Sequence, residues 1–476
     1  MYKPLTYIYN LSIKQSKIPD QLKISKVVPI HKKLNKKCVS NYRPVAVLPT
    51  FSKILEKIIY KRLITFIEDH KLLPDNQHGF RKNFSTESAT ISYINKICNA
   101  LNQNKSVIGL NIDFSRAFDC INHAILFDKL DNIGVRGRTL DLFKDYFKNR
   151  KQTTFYKENY SDMKDLTTGV IQGSILGPIL FCIYAADIVN SCNQIEFDSF
   201  ADDTNGTLTG DNLETICITL INELENINRW VMANGMGINL TKTTYMIFTK
   251  SVPPISRIPI YIKKQYDFIP IERASTTKFL GVLIDERLKW DHHIKHVAIK
   301  LSKVCGIIYQ IRKKITPEAL YAIYYSLVYP HLIYCISVWG GTYKEHLTKV
   351  QIAQNKVIRA MSFTAWDQSV RQKMLDLKIL NCTSIYKLNA SMVVFKHLTK
   401  NYVPSLFNPI GHERNLRNIQ HNLHVPFPHY TLIKKNLTFR IPNEWNLIPN
   451  GIKISPSINV FKRKMKLHLF SLQNNL

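Results

Sequence analysis

Asp202 and Asp203 stand side by side behind Phe200-Ala201, in a segment whose composition reads as a β-hairpin. Within a strand, successive side chains point to opposite faces, so paired aspartates there would waste one of them. At a turn both reach the same point, and two like charges tolerate that only when a cation neutralises them. The pair therefore predicts a hairpin tip, and its hard oxygen ligands suit Mg²⁺. Loops also gather aspartate for turn-forming reasons, so the pair by itself leaves a metal-free turn open. Asp113 adds weight, because it ends the apolar run Val107-Ile108-Gly109-Leu110-Asn111-Ile112. That run has strand composition and would present its terminal carboxylate from a sheet edge. Three carboxylates on two strands can hold two Mg²⁺ ions roughly 4 Å apart, as in-line phosphoryl transfer requires.

A chain of 476 residues can bury a sizeable core in two or three domains. Its 65 Lys and Arg against 35 Asp and Glu leave a formal charge of +30, which implies a polyanionic partner and favours nucleic acid. A Lys-, Asn- and Ile-biased composition with well-solvated lysines is the competing explanation. The nine cysteines form no Cys-x-x-Cys and no Cys/His cluster, so reduced intracellular thiols are expected and a zinc module is not. Met1-Tyr2-Lys3-Pro4 opens no secretory signal. Residues 319–343 lack Asp, Glu, Lys and Arg, yet they hold Pro330-His331, two serines and six tyrosines. Buried helices on either side of a proline break are expected there rather than a membrane span. The location expected is intracellular, nucleus or cytoplasm.

Along the chain, the first fifty residues read as extended and basic. Thr50 can cap a helix whose apolar residues Phe51, Ile54, Leu55, Ile58, Ile59, Leu63, Phe66 and Ile67 recur at helical spacing. A second helix is predicted over about 86–101, and another through Ala124 to Leu130 that stops before Gly134. Residues 167–186 read as a glycine-rich turn feeding a buried helix; no Lys-Ser/Thr follows the glycines, which excludes a Walker loop. Leu213, Ile216, Cys217, Leu220, Ile221, Leu224, Ile227 and Val231 mark an amphipathic helix that Gly235 and Gly237 end. A strand from Ile238 to Phe248 would carry Lys242. Pro253-Pro254, Pro259 and Pro270 punctuate a poorly ordered stretch, and from His292 onward the pattern is helical and basic.

Several motifs stand in a specific order: Asn41-Tyr42-Arg43-Pro44, Gln77-His78-Gly79-Phe80-Arg81, Asp113-Phe114-Ser115-Arg116-Ala117-Phe118-Asp119, Gln172-Gly173-Ser174-Ile175-Leu176-Gly177-Pro178, Phe200-Ala201-Asp202-Asp203-Thr204 and Phe279-Leu280-Gly281-Val282. On these the chain resembles the reverse transcriptase of non-LTR (LINE-type) retrotransposons, near the jockey-like branch. Each motif alone is weak; the ordered set is specific. The resemblance implies an α+β right-hand polymerase, with fingers, a palm on an antiparallel sheet and a helical thumb. Residues 1–290 would form fingers and palm, with the core motifs at about 15–285. Residues 291–400 would form a helical thumb-like region, and 401–476 a basic, mainly helical carboxyl-terminal region. Pro330-His331-Leu332-Ile333-Tyr334-Cys335 and Val338-Trp339-Gly340 look like the region after the polymerase core in the same elements.

The resemblance also implies roles. Asp113, Asp202 and Asp203 become metal-binding carboxylates for two Mg²⁺ ions, with Mn²⁺ able to substitute. Lys242 becomes the general acid for pyrophosphate, where a lone strand lysine would otherwise be merely exposed. Arg43, with Lys32 or Lys33, would hold the triphosphate, unless this is only a solvated basic loop. Phe114, Phe118, Gln172 and Gly173 would line the dNTP site. Phe118 would be the sugar gate, its ring clashing with a ribonucleotide 2′-OH, against the alternative of a core aromatic. Gly169, Gly173 and Gly177 could instead merely end a strand and start a helix. Phe279, Leu280 and Gly281 would form a primer grip, or an ordinary turn. The partners implied are an RNA template, a DNA primer or target and dNTPs.

Ile171 stands where proline is usual in the family. Asp198-Ser199 precede Phe200 where apolar residues are expected, which would put another carboxylate beside the metal site. Asn205-Gly206 competes as a turn just after the Asp pair. Met1 lies a short way before the first motif, so the amino-terminal endonuclease of full elements is expected to be lacking, and the carboxyl end carries no Cys/His knuckle. A decayed copy that only binds nucleic acid is the second reading. An RNA-dependent RNA polymerase is a third, opposed by Phe118.

Overall fold

The amino-terminal stretch begins with a helix, α1 (Tyr2–Gln15), where extended chain was expected. Pro4 falls in its first turn, where a missing N–H costs nothing. Tyr9 and Ser12 are buried on one face, and the Tyr9 hydroxyl donates to the Phe51 carbonyl at 2.9 Å. Aromatic and β-branched residues in this helix disguise its period, and packing supplies what propensity does not. The computed structural model describes residues 2–32, 35–250, 258–264, 267–400, 407, 421–430 and 433–475. Lys33 and Pro253-Pro254 lie outside the described residues.

Two strands follow, β1 (Ile24–His31) and β2 (Tyr42–Val47), paired antiparallel. Helix α2 (Thr50–Asp69) is preceded by Pro49 with no side-chain cap, so Thr50 is its first residue rather than its cap. Leu55, Ile59, Leu63 and Ile67 line its buried face, whereas Phe51 and Ile54 stay exposed. Helix α3 (Thr86–Asn102) starts at a Ser85–Ser88 capping box. Next come β3 (Ser106–Ile112), α4 (His123–Asn132) and α5 (Arg138–Phe147), on which α1 packs. Strand β4 (Lys151–Tyr156) joins β1 in parallel and carries the short β5 (Asn159–Tyr160) and β6 (Lys164–Asp165). Helix α6 (Gly177–Ala185) is buried almost throughout, as its uncharged sequence requires.

The second sheet positions the site. Strands β7 (Glu196–Phe200) and β8 (Asp203–Gly210) form the expected hairpin, and α7 (Leu213–Ala233) the expected amphipathic helix. Strand β9 is only Thr244–Phe248. Residues before it form a turn, because the Asn239 carbonyl accepts from the Lys242 and Thr243 N–H groups at 3.1 and 2.9 Å. Lys242 therefore sits in a turn and not on the strand expected. The proline-punctuated stretch carries a hairpin, β10 (Tyr261–Lys264) with β11 (Asp267–Pro270), followed by β12 (Glu272–Arg273). The sheet order is β12-β9-β3-β8-β7, antiparallel except for β12 with β9. Ile108, Leu110 and Ile112 face the core under α6 and α7, whereas Val107, Met246 and Phe248 face α3 and the carboxyl-terminal helices. A last hairpin, β13 (Thr276–Phe279) with β14 (Val282–Asp285), leads into the helical half.

Helix α8 (Asp291–Ile311) is followed by α9 (Pro317–Ile323), a π-turn over Tyr324–Val328, α10 (Tyr329–Ile333) and α11 (Ile336–Trp339). Pro330 does not separate two helices. The chain instead widens into the π-turn just before it, which relieves the clash of the proline ring with the preceding turn. Helix α12 (Lys344–Met361) packs along α8, and α13 (Arg371–Asp376) precedes α14 (Cys382–Lys400). Beyond it, α15 (Leu437–Asn446), α16 (Asn450–Lys453) and α17 (Ile458–Asn475) fold back, with Phe461 stacked on Phe395 of α14. The fold is α+β. Among the described residues no helix is long and apolar enough to cross a membrane.

Candidate active site

Phe200 and Asp203 are cross-strand partners, so Ala201 and Asp202 are the two residues of the turn. Ala201 adopts φ +55°, which costs a residue bearing a Cβ about 1 kcal/mol. The loop at 76–79 holds it there. The His78 N–H donates to the Ser199 carbonyl and the Ser199 N–H to the Asn76 carbonyl, both at 2.8 Å. At the tip, Gln77 Oε1 accepts from the N–H groups of Ala201 (3.1 Å) and Gly79 (2.9 Å). Gly79 must be glycine, because a Cβ would lie 2.6 Å from the Ala201 nitrogen. Arg81 in turn fixes the loop, donating to the Pro74 carbonyl at 2.8 Å and pairing with Glu68. The motif Gln77-His78-Gly79-Phe80-Arg81 is therefore a clamp on the Asp-Asp turn. Sequence reasoning used it only as a family marker, since nothing in its spacing points to Ala201.

Asp113 follows the end of β3, whose Ile112 pairs with Thr204 of β8. This register brings Asp113 to the Asp202-Asp203 turn. Its N–H donates to Thr243 Oγ1 at 3.2 Å, and its carbonyl accepts from the Asn239 N–H at 2.7 Å. Burial, then Asp202 and Asp113, push the Asp203 carboxyl up to about 6, against the pull of Lys278. Burial also raises Asp202, with Asp113 adding to it and Arg43 and Lys32 opposing. The three carboxylates thus act on one another, and Lys242 Nζ lies 3.1 Å from Asp113 Oδ2. This all-oxygen, mutually repelling set suits a hard divalent cation. Among the described residues, no group of three or more His, Cys, Asp and Glu is close enough to hold a metal as placed. The lysine ammonium, rather than a third carboxylate, is what lies against Asp113.

The repulsion has a measurable cost. A carboxyl whose folded pKa is raised contributes stability that is present below its unfolded value, near 4, and lost as pH rises through about 6. Asp203→Asn is expected to raise the melting temperature of the metal-free protein at neutral pH by about 1–2 °C, a small gain because solvent screens the group. The gain should vanish near pH 4. Thermal melts in chelator at the two pH values check this; a variant that melts lower at neutral pH would contradict it.

Asp198 is not beside these carboxylates. It is fully buried against α3, with Oδ2 2.9 Å from Lys96 Nζ, and burial pushes its carboxyl up to about 6. His78 lies 3.9 Å away and is neutral, since burial, Lys96 and Arg81 push it down to about 3. Asn205-Gly206 forms no turn: both residues pair with β3 and with β7, and two ladders outweigh a local turn preference.

Arg43 of β2 and Lys32, the residue after β1, act on Asp202. Phe118 is half-buried and stacked on Phe181 of α6, ring centres 4.7 Å apart. Gln172 Nε2 donates to Asp119 Oδ1 at 2.8 Å, and the Gln172 carbonyl accepts from the Ala46 N–H at 2.7 Å. A Cβ on Gly173 (φ +118°) would collide with the Ala46 carbonyl, so strand β2 by itself requires glycine there. Phe114 is 7% exposed with its ring against Trp230, so the ring is not presented to a nucleotide. Phe279 is likewise a core residue, edge-on to Tyr93. Leu280 (φ +46°) and Gly281 (φ +89°) form the β13–β14 turn, and the Tyr334 hydroxyl donates to the Leu280 carbonyl. Sequence reasoning missed Gln77, Asp119, Thr243, Lys278 and Tyr334 as members of this site. Gln77, Asp119, Lys278 and Tyr334 lie within or beside quoted motifs, but their contacts, like that of Thr243, arise only through the fold.

A model of the family described as "Reverse transcriptase (RNA-dependent DNA polymerase)" matches residues 30–284. The chain is similar to an RNA-directed DNA polymerase from mobile element jockey of Drosophila melanogaster, 27% identical over 390 residues that cover 79% of this chain and 41% of the relative. The jockey polymerase of Drosophila funebris is 27% identical over 357 residues, covering 72% and 38%. A retrovirus-related Pol polyprotein from type-1 retrotransposable element R1 of Bradysia coprophila is 27% identical over 353 residues, covering 70% and 33%. The chain spans about two fifths of the length of the first curated relatives it matches. Among solved structures, apo telomerase from Candida Tropicalis aligns over 84% of this chain and 71% of its own at a TM-score of 0.43 and 11% identity, too distant to bear on the fold.

Proposed function

The chain belongs to the reverse transcriptase (RNA-dependent DNA polymerase) family, and from that premise we propose that it extends a primer 3′-hydroxyl with dNTPs on an RNA template. The observation that carries the reading is the convergence of Asp113 with Asp202 and Asp203, whose charges act on one another. These three carboxylates would hold two divalent ions, Mg²⁺ with Mn²⁺ as substitute. When bound, such ions lower the pKa of an attacking hydroxyl and neutralise a leaving pyrophosphate. Arg43, with Lys32, binds the triphosphate through its planar fork of donors. Phe118, stacked on Phe181 at a 30° tilt, excludes a 2′-hydroxyl from the sugar position. Gln172, oriented by Asp119, contacts the incoming nucleotide. Lys242 carries the proton for pyrophosphate from beside Asp113. The Leu280-Gly281 turn presents backbone to the primer strand, with Phe279 as its anchor in the core. In this reading the first sheet with α2 is the fingers, the second sheet the palm, and α8 with its neighbours the thumb.

The family match over residues 30–284 favours the polymerase over the binding-only reading. The experiment is primer extension by the purified chain on a DNA-primed RNA template with Mg²⁺ or Mn²⁺. Incorporation of dNTPs over rNTPs is expected, and Phe118→Val should raise ribonucleotide incorporation roughly 10- to 100-fold, the scale of discrimination by a steric pocket. No incorporation with either metal, or a preference for rNTPs in the unaltered chain, would overturn the reading.

A further inference from the structure

Three large aromatic side chains stand out in solvent at the end of α8 and the adjoining loop after α12: Tyr309 is 62% exposed, Phe363 55% and Trp366 87%. Two of the rings and the loop that carries the third are braced. The Arg312 guanidinium lies between two of them, 4.0 Å from the Tyr309 ring centre and 4.8 Å from that of Phe363, and it donates to the Ala360 carbonyl at 3.2 Å. Arg359 fastens the loop that carries Trp366, donating to the carbonyls of Ala365 (3.0 Å) and Gln368 (2.9 Å). Phe363 itself sits at φ +52°. Burial would be the ordinary fate of such rings, and none of this bracing covers them.

The charge around the rings is one-sided. Lys313 and Lys314 follow Arg312 directly and are exposed, and Lys356 of α12 is near enough to Arg312 that both act on Cys305. Asp367 is the exposed carboxylate of the loop. Exposed aromatic faces interleaved with arginine and lysine match one chemistry, stacked bases with a phosphate strand running past them. A duplex hides its base faces and could use only the cations; an unpaired strand uses both.

We propose that Tyr309, Phe363 and Trp366, with Arg312, Lys313 and Lys314, form a binding platform for single-stranded nucleic acid. The Leu280-Gly281 turn lies against the middle of α8, where Gly281, His296 and Lys300 line one cavity, and Arg312 stands about 18 Å of helical rise beyond Lys300. The platform goes beyond the polymerase reading, because it needs a strand to bind and no chemistry to occur. An RNA template and a DNA strand offer the same stacking faces, so the source is left to the test.

The test compares the affinity of the full chain for a blunt duplex and for the same duplex with an unpaired extension of roughly 15 nucleotides, near the site size of a single-strand-binding fold. The extension is made in RNA or in DNA and placed at either end. The extension is expected to tighten binding by the unaltered chain. The double variant Phe363→Ala with Trp366→Ala should lose about 10- to 100-fold of that gain while binding blunt duplex as before. Trp366→Phe should keep most of it, and Lys313→Ala with Lys314→Ala should flatten the salt dependence by about one to two units of slope. Equal affinity for blunt and extended duplex in the unaltered chain, or a full gain in the double alanine variant, overturns the proposal. So does a double variant that keeps the gain but loses self-association, which would make the rings a contact between copies. Every arm reads binding alone, so a chain that incorporates no nucleotide answers the question equally well.

Discussion

Asp202→Asn is expected to lower nucleotide incorporation by about 10³-fold or more, the scale of losing one preorganised group that stabilises developing charge. The substitution keeps the shape of the side chain and the turn, and removes only a negative charge from a set of three. Primer–template affinity and melting temperature should hold near those of the unaltered chain, because Asp202 faces the site and makes no ion pair among the described residues. Asp113→Asn should lower incorporation alike, and it also removes the negative partner of Lys242, an exposed pair worth little stability. Two comparisons make the result specific. Lys242→Ala should cost less, about 10²-fold, as a proton donor that water can replace in part. Asp198→Asn should leave the rate within a few-fold and act on stability, since this carboxyl is buried under α3 against Lys96. Single-turnover extension with each variant gives the ranking. Full incorporation by Asp202→Asn, or an Asp198→Asn loss as deep as that of Asp202→Asn, would sink the assignment of the three carboxylates.

The second large effect is expected from a residue that touches no substrate. Gln77→Leu should lower kcat by about 10- to 100-fold with little change in the KM for dNTP, the cost of displacing reacting groups by a fraction of an ångström. Leucine fills much of the same space but cannot accept from the Ala201 N–H, so the turn loses the bond that holds Ala201 at positive φ. Gln77 acts as a positioning residue through that bond. A second substitution, Ala201→Gly, removes the steric penalty of positive φ and should recover part of the lost kcat in the Gln77→Leu background. Hydrogen exchange gives a readout independent of activity: the Ala201 amide should lose protection in Gln77→Leu while the amides of β3 keep theirs. If Gln77→Leu instead loses kcat in proportion to thermal stability, keeps Ala201 protected and gains nothing from glycine, its role is packing alone.

The elements legible in the sequence were those with a local cause. The β7–β8 turn followed from two adjacent carboxylates, α7 from its helical spacing, and α6 from an uncharged run. The misreadings share a different cause. Helix α1 is weak in propensity and exists by packing on α5; Asn205-Gly206 is a strong turn former overruled by strands on both sides. The stretch around Pro259 and Pro270 holds a hairpin because Pro270 closes it at an end, where a missing N–H is tolerated. Asp198 was read as a neighbour of Asp202 by sequence distance, whereas the pleat and α3 send it into the core.

For the site the division is sharper. The sequence by itself determined where the acidic groups stand, Asp113 at the end of a strand and Asp202-Asp203 at a hairpin tip, while the roles proposed for Arg43 and Phe118 came from the family resemblance. Residue type and short-range spacing encode such properties, because turns, strand alternation and charge are local. Only the tertiary structure decided which residues hold that chemistry in place. Gln77 reaches Ala201 across 124 residues, Thr243 meets Asp113 across 130, and Tyr334 meets Leu280 across 54. Each of these contacts is a single hydrogen bond between groups with no periodic or compositional signature. They exist because the sheet order and helix packing bring distant backbone together, and that information is spread over the whole core.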